Sequence, residues 1–437
     1  NQERQTRLER TVNRARKITG QVRVPGELPT ALRAVWLAAI SIGDSRIEHA
    51  PPSLLPHLEQ LKSLGVGVGE NEEGLVITGV GLRGFTATSE SVDLRGLGVE
   101  ALLPVTVLAM QPTSRTIHID ASLAGTIQAL FALLAQTGAV GGVPSESQVQ
   151  VDGVEAASAV DHSPADLDAD TKLALLCAGL YAEAGSVTTV RQAATSKDRV
   201  DDLLTERGIS IAPNRRDDPA LRAMLLTAAD PTACDVDLPG DLDQALPFIV
   251  AALIVGRSEL TVARVAIRTQ NRTFLDLLRQ IKGEVEIIDQ AGFADLVVKS
   301  SRLKGTRVAD KRATRLIEHI PLLAVLATQT EGEFIIRDVE ALRRCEDVDL
   351  IAHLVTLLRE LGAKVGEYPE GLVIDGARPL KGTEVVTHAR PQMAQAFAVA
   401  GLVSKGDMQI HDSDSVDAVF PGFFDTLDSI TVKERQG

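Results

Sequence analysis

A few residues in this chain have the types and spacing to do chemistry. Glu318 and His319, adjacent in Ile317-Glu-His-Ile-Pro321, have the composition of an acid/base pair. Neighbours at i and i+1 point apart on a helix, so the two are not expected to act together. Cys345 is a candidate nucleophile, yet no histidine adjoins it and Glu346, Asp347 and Asp349 follow it. Carboxylates raise a thiol's pKa, so Cys345 reads as an ordinary cysteine. Asp161, Asp166, Asp168 and Asp170 are oxygen donors suited to a divalent cation, but the run lacks the glycine and the bidentate glutamate of a calcium loop and reads as a solvated loop. Gly96-Leu97-Gly98 could present backbone amides to a phosphate, although a lone Gly-x-Gly is a weak signal and the neighbouring Glu100 opposes an anion.

Composition narrows the setting in which such groups work. The chain has 437 residues, beyond the roughly 250–300 at which one core stops growing, so at least two domains are expected. Aromatic residues make up 3% against 44% hydrophobic overall, so the cores must be built from Leu, Val, Ile and Ala. A net charge of −14 argues against nucleic acid or an anionic membrane as a partner. Cys177, Cys234 and Cys345 have no metal-ligand spacing and suit a reducing compartment. With no apolar run long enough to span a bilayer and no signal-peptide pattern at the start, a cytoplasmic protein is expected. Residues Asn1–Lys17 carry six cations, with Leu8, Val12 and Ala15 at helical spacing. This reads as a short basic helix or linker, or as a docking segment for a protein partner.

The elements that hold these residues repeat. Val-Pro-Gly-Glu-Leu at Val24–Leu28 recurs as Leu-Pro-Gly-Asp-Leu at Leu238–Leu242. Leu61–Glu70 and Glu73–Gly79 are answered by Leu358–Glu367 and Glu370–Gly376. Each unit reads as βαβαββ, and starts fall near Val24, Leu94, Asp168, Leu238, Leu316 and His388. Two pseudo-equivalent α/β domains of three units each follow, covering residues 26–238 and residues 18–25 plus 239–437. The chain then crosses between them at both Pro-Gly turns, which makes a hinge with a cleft as the expected site of a small anionic ligand.

Val24–Glu27, Leu238–Asp241, Ala396–Leu402 and Phe420–Phe424, with Phe274–Arg279 and Ile336–Arg343, carry a resemblance. Over about residues 18–430 the chain resembles the enolpyruvyl transferase family, and within it the EPSP synthases. The resemblance implies a two-domain inside-out α/β barrel. It implies no cofactor and no metal, and a cleft in which lysines and arginines grip a phosphorylated acceptor and phosphoenolpyruvate while an acid/base pair handles the tetrahedral intermediate.

Carried over position by position, the resemblance leaves Arg33, Gly98, Lys172, Ser196, Asp241 and Arg343 as remnants of substrate binding, and Glu318 and Glu346 as remnants of the catalytic pair. Most of the family's cations are gone. Leu28 and Pro29 stand for a Lys-Ser pair, and the phosphoenolpyruvate loop reads Arg95–Leu102 without its arginine. Asp168-Ala169-Asp170 replaces Ser-Ser-Gln, Cys345 replaces the acid/base lysine, and Asp349 replaces an arginine. Gln392 and Ala418 are likewise uncharged. Losing one charge-assisted contact to a buried ligand costs about 2–5 kcal/mol. The expectation is a retained fold that has lost standard enolpyruvyl transfer and serves a structural, regulatory or interaction role. Two alternatives are an enzyme for a less anionic ligand and an active 3-phosphoshikimate 1-carboxyvinyltransferase of the shikimate pathway.

Overall fold

A computed structural model describes residues 9–71, 74–86, 91–162, 167–193, 200–214, 221–268, 271–290, 292–344 and 348–433. The chain divides into two compact units, Leu28–Leu238 and Asn1–Glu27 with Pro239–Gly437, so it passes from one to the other twice.

The unit Leu28–Leu238 repeats one motif three times. Its three central helices are α1 (Leu28–Ala39), α2 (Leu102–Ala109) and α3 (Ala169–Gly179). Each module adds a four-stranded sheet in which one short strand runs parallel to the next and a hairpin completes the set antiparallel. In the first module the parallel strand is Val236–Asp237, which returns from the end of the unit to pair with Ile42–Glu48 and closes the ring. Every residue of α2 is buried. A helix apolar on all sides must sit inside its domain, and here the helices pack on one another with the sheets outside.

The other unit follows the same plan with α4 (Leu242–Ile254), α5 (Ile320–Ala327) and α6 (Pro391–Gly401). Its first sheet borrows Ala15–Val22, which runs parallel to Glu259–Ala266. Its third sheet borrows Arg10–Val12, antiparallel to Met408–His411. Eight of the chain's ten phenylalanines lie here, and Phe248, Phe420, Phe423 and Phe424 pack ring to ring beside α4.

The N-terminal basic helix expected over Asn1–Lys17 is not what the described residues form. From Arg10 onward they are strands. The edges of Glu259–Ala266 and Met408–His411 need hydrogen-bond partners, and burying Val12, Ala15 and Ile18 in this unit's core outweighs the local helical spacing. No helix among the described residues is long and apolar enough to cross a membrane.

Candidate functional site

Of the residues carried over by resemblance, Arg33, Gly98 and Lys172 lie near the amino-terminal ends of α1, α2 and α3, and Asp241 and Glu318 near those of α4 and α5, where unpaired backbone N–H groups favour anions. In the unit Leu28–Leu238, Arg33 of α1 donates from Nε and Nη2 to Asp170 Oδ1 at 3.0 and 2.6 Å. Glu100 Oε1 lies 3.5 Å from the same Nη2, and all three side chains are nearly buried. Asp168 is the N-cap of α3, accepting from the N–H groups of Asp170 and Thr171 at 3.0 and 2.9 Å. Asp168, where the resemblance places a ligand-binding serine, thus serves a helix terminus, a frequent role for aspartate.

Lys172, one turn into α3, is fully buried, and its Nζ donates to Asp201 Oδ1 at 2.6 Å. Arg222 approaches the other oxygen of Asp201 at 3.7 Å. Leu102 is buried and Leu28 packs against the same apolar cluster, so two positions expected to carry cations belong to the core. Gly98 has φ +58°, left-handed backbone that suits glycine. The N–H of Gly96 donates to Asp120 at 2.9 Å, and Arg95 pairs with Asp93, whose carboxyl the guanidinium pulls down to about 2. A carboxylate of the chain already takes one amide of the glycine turn. Of the aspartate run, Asp161 pairs with Arg191 while Asp168 and Asp170 serve the contacts above, so these three hold no common centre.

In the second unit the two Pro-Gly turns run side by side. Glu27 N–H donates to Pro239 O at 3.0 Å, and Asp241 N–H to Pro25 O at 2.8 Å. Asp241 is the N-cap of α4, accepting from Asp243 N–H at 2.8 Å. Burial, with the nearby Asp243 and Glu27, pushes the Asp241 carboxyl up to about 7. Glu27 is buried and ion-paired with Arg268. His319 Nε2 lies 3.2 Å from Asp243 Oδ1, with its ring edge-on to Phe274. Glu318 is exposed, in the short helical turn Ile317–His319, and forms no ion pair among the described residues. Among the described residues Glu318 and His319 form no ion pair with each other, and His319 turns to Asp243 instead. The Asp241–Asp243–His319 grouping went unseen in the sequence, although a Pro-Gly-Asp cap with a second aspartate two residues on was there to be read.

Arg343 folds back on its own neighbourhood. It donates to Asp349 at 2.7 Å, Glu367 at 2.9 Å, and the carbonyls of Pro369 and Tyr368 at 2.7 and 2.6 Å. Asp349, where the resemblance places an arginine, is the N-cap of the helix Leu350–Glu360. Ser196, Cys345 and Glu346 lie outside the described residues.

The family model for EPSP synthase (3-phosphoshikimate 1-carboxyvinyltransferase) matches residues 12–427. The chain belongs to the EPSP synthase family. A 3-phosphoshikimate 1-carboxyvinyltransferase of Desulforamulus reducens is 30% identical, covering 98% of this chain and 100% of its own length. One from Brevibacillus brevis is 29% identical over 96% and 99%. A solved EPSP synthase from Acinetobacter baumannii has the same fold, with a TM-score of 0.67 at 22% identity over 97% of this chain and 98% of that one. In this chain Arg33, Lys172 and Arg343 are each engaged by the chain's own carboxylates.

Proposed function

We propose that this member of the EPSP synthase family does not carry out standard enolpyruvyl transfer and serves a structural, regulatory or interaction role. One observation carries the reading. Arg33, Lys172 and Arg343, the three cations kept at family positions, are each bonded to carboxylates within the chain. A phosphorylated ligand has to displace Asp170 and Glu100 to reach Arg33, and like charges at these distances repel it before any bond forms. Lys172 cannot be reached without taking a buried ion pair apart. Leu28 and Leu102 supply no charge, and Asp349 supplies the wrong one.

A second reading, an enzyme rebuilt for a less anionic ligand, draws on Asp241. A carboxyl near 7 beside a histidine–aspartate contact suits proton transfer at neutral pH.

The test is calorimetry with shikimate 3-phosphate and phosphoenolpyruvate, singly and together, followed by a phosphate-release assay. No phosphate release is expected, nor any heat of binding at millimolar ligand that is lost in Arg33→Gln. Release near ~1 per second, an ordinary enzyme's rate, overturns the proposal. The combined change Leu28→Lys, Cys345→Lys and Asp349→Arg should raise phosphoenolpyruvate binding without necessarily restoring turnover.

A further inference from the structure

At the opposite, carboxyl-terminal ends of α4, α5 and α6 lies a cavity of about 460 Å³, within the size range of small-molecule sites. It stands apart from the site above, since the 13 residues of α4 at about 1.5 Å each separate the two ends by roughly 20 Å. Arg14, Arg302, Arg378 and Lys405 line it, with Glu331 as its one carboxylate.

The arginines come from equivalent places in three modules. The end of each helix is capped by the backbone N–H of a strand or loop residue. Ser301 donates to Leu253 O, Ala377 to Thr328 O and Ala15 to Leu402 O, each at 2.9 Å. Beside each capping residue stands an arginine: Arg302, Arg378 and Arg14. The pseudo-threefold repeat therefore carries three guanidinium groups to one mouth, and Lys405 follows α6 to join them.

The charge balance favours an anion. Each helix end contributes about half a negative charge, roughly 1.5 in total, against four cations. Glu331 is itself bonded to Lys304, which holds its carboxyl below the usual range. Among the described residues Arg302 and Lys405 form no ion pair, and the carboxylate paired with Arg378, Asp375, is 4.0 Å away and already holds Lys364 at 2.8 Å. In the unit Leu28–Leu238 the comparable end keeps a smaller cavity of about 270 Å³, whose one arginine, Arg83, shares the lining with Asp230 and is held by the chain's own carbonyls. Arg83 donates to Val154 O and Tyr181 O at 3.1 and 3.3 Å, and Gln111 donates to Leu82 O and Tyr181 Oη at 2.9 and 3.2 Å.

We infer that the cationic cavity at the carboxyl-terminal ends of α4, α5 and α6 binds a small polyanion bearing several phosphate or carboxylate groups. A di- or triphosphate or a tricarboxylate offers several anionic groups to arginines that approach from three modules. Charge-assisted hydrogen bonds to the guanidinium groups supply the attraction.

The full chain is titrated calorimetrically with ATP, pyrophosphate and citrate at low salt. At least one should bind below about 1 mM and weaken as salt rises. Binding of ATP and pyrophosphate without citrate assigns phosphate recognition, citrate alone assigns carboxylate recognition, and binding of all three assigns recognition by charge. The double change Arg302→Glu and Lys405→Glu should weaken binding at least about tenfold, while Arg33→Gln leaves it unchanged. If the charge-reversed chain loses its circular dichroism, Arg302→Gln with Arg378→Gln is used, with the same expected direction. Failure of all three anions to bind, indifference to the folded ring variants, or loss of binding in Arg33→Gln overturns the inference.

Discussion

Two sets of cations in this chain meet opposite fates. At the amino-terminal ends of the helices, Arg33 and Lys172 are buried or nearly so and are answered by Asp170, Glu100 and Asp201. At the carboxyl-terminal ends of α4, α5 and α6, Arg302, Arg378 and Lys405 are exposed and only weakly answered. The difference shows how burial decides the way a charge is answered. A buried cation must be neutralised by the fold itself, because an unpaired one costs several kcal/mol, whereas an exposed one is solvated and stays available.

The largest effect that tests this contrast is Asp201→Ala. It leaves the buried Lys172 ammonium without its carboxylate and should cost about 3–5 kcal/mol in urea denaturation. A loss under about 1 kcal/mol would mean that Lys172 is not held as described.

Next comes a pH effect at Asp241. The folded chain keeps a proton there up to about 7, while an unfolded aspartate releases it near ~4. The folded state binds the extra proton between these values, so this group's contribution to stability is fullest below pH ~4 and is lost as pH rises through about 7. Asp241→Asn keeps the helix cap, should flatten that slope, and should add about 2 kcal/mol at pH 8. An unchanged slope in denaturation series across this range would show that the carboxyl titrates normally.

A smaller change is expected from Asp170→Asn combined with Glu100→Gln. Freeing Arg33 should tighten phosphate binding about tenfold, or roughly 1.4 kcal/mol, by calorimetry. No gain would mean that pairing of Arg33 does not limit anion binding there. Smallest of all, Arg302→Gln should move stability by less than about 0.5 kcal/mol, because the side chain is exposed. A thermal-melt loss comparable to that of Asp201→Ala would erase the distinction between the two sets.

Much of the architecture was legible in the residues. Repetition of the Pro-Gly turns and of Leu61–Gly79 in Leu358–Gly376 encodes a module, and a module that cannot bury its own apolar face must stack with copies of itself. That Leu28 and Leu102 carry no charge was also plain, because residue type alone decides it. The N-terminal segment was misread because helical spacing over Leu8, Val12 and Ala15 is a local signal. The strand edges that claim Arg10–Val12 and Ala15–Val22 lie hundreds of residues away.

Only the tertiary structure decided which charges meet. Arg33 and Asp170, Lys172 and Asp201, and His319 and Asp243 are separated by loops and helices whose packing sets their distances, and no period in the sequence records those pairings. The ring of Arg14, Arg302, Arg378 and Lys405 is the extreme case. Each cation is unremarkable where it stands in the chain, and they converge only because three modules close around one axis and cap their helices with the same backbone contact. Sequence determines residue chemistry and local hydrogen bonding, whereas long-range electrostatics depend on distances that exist only after the core has packed.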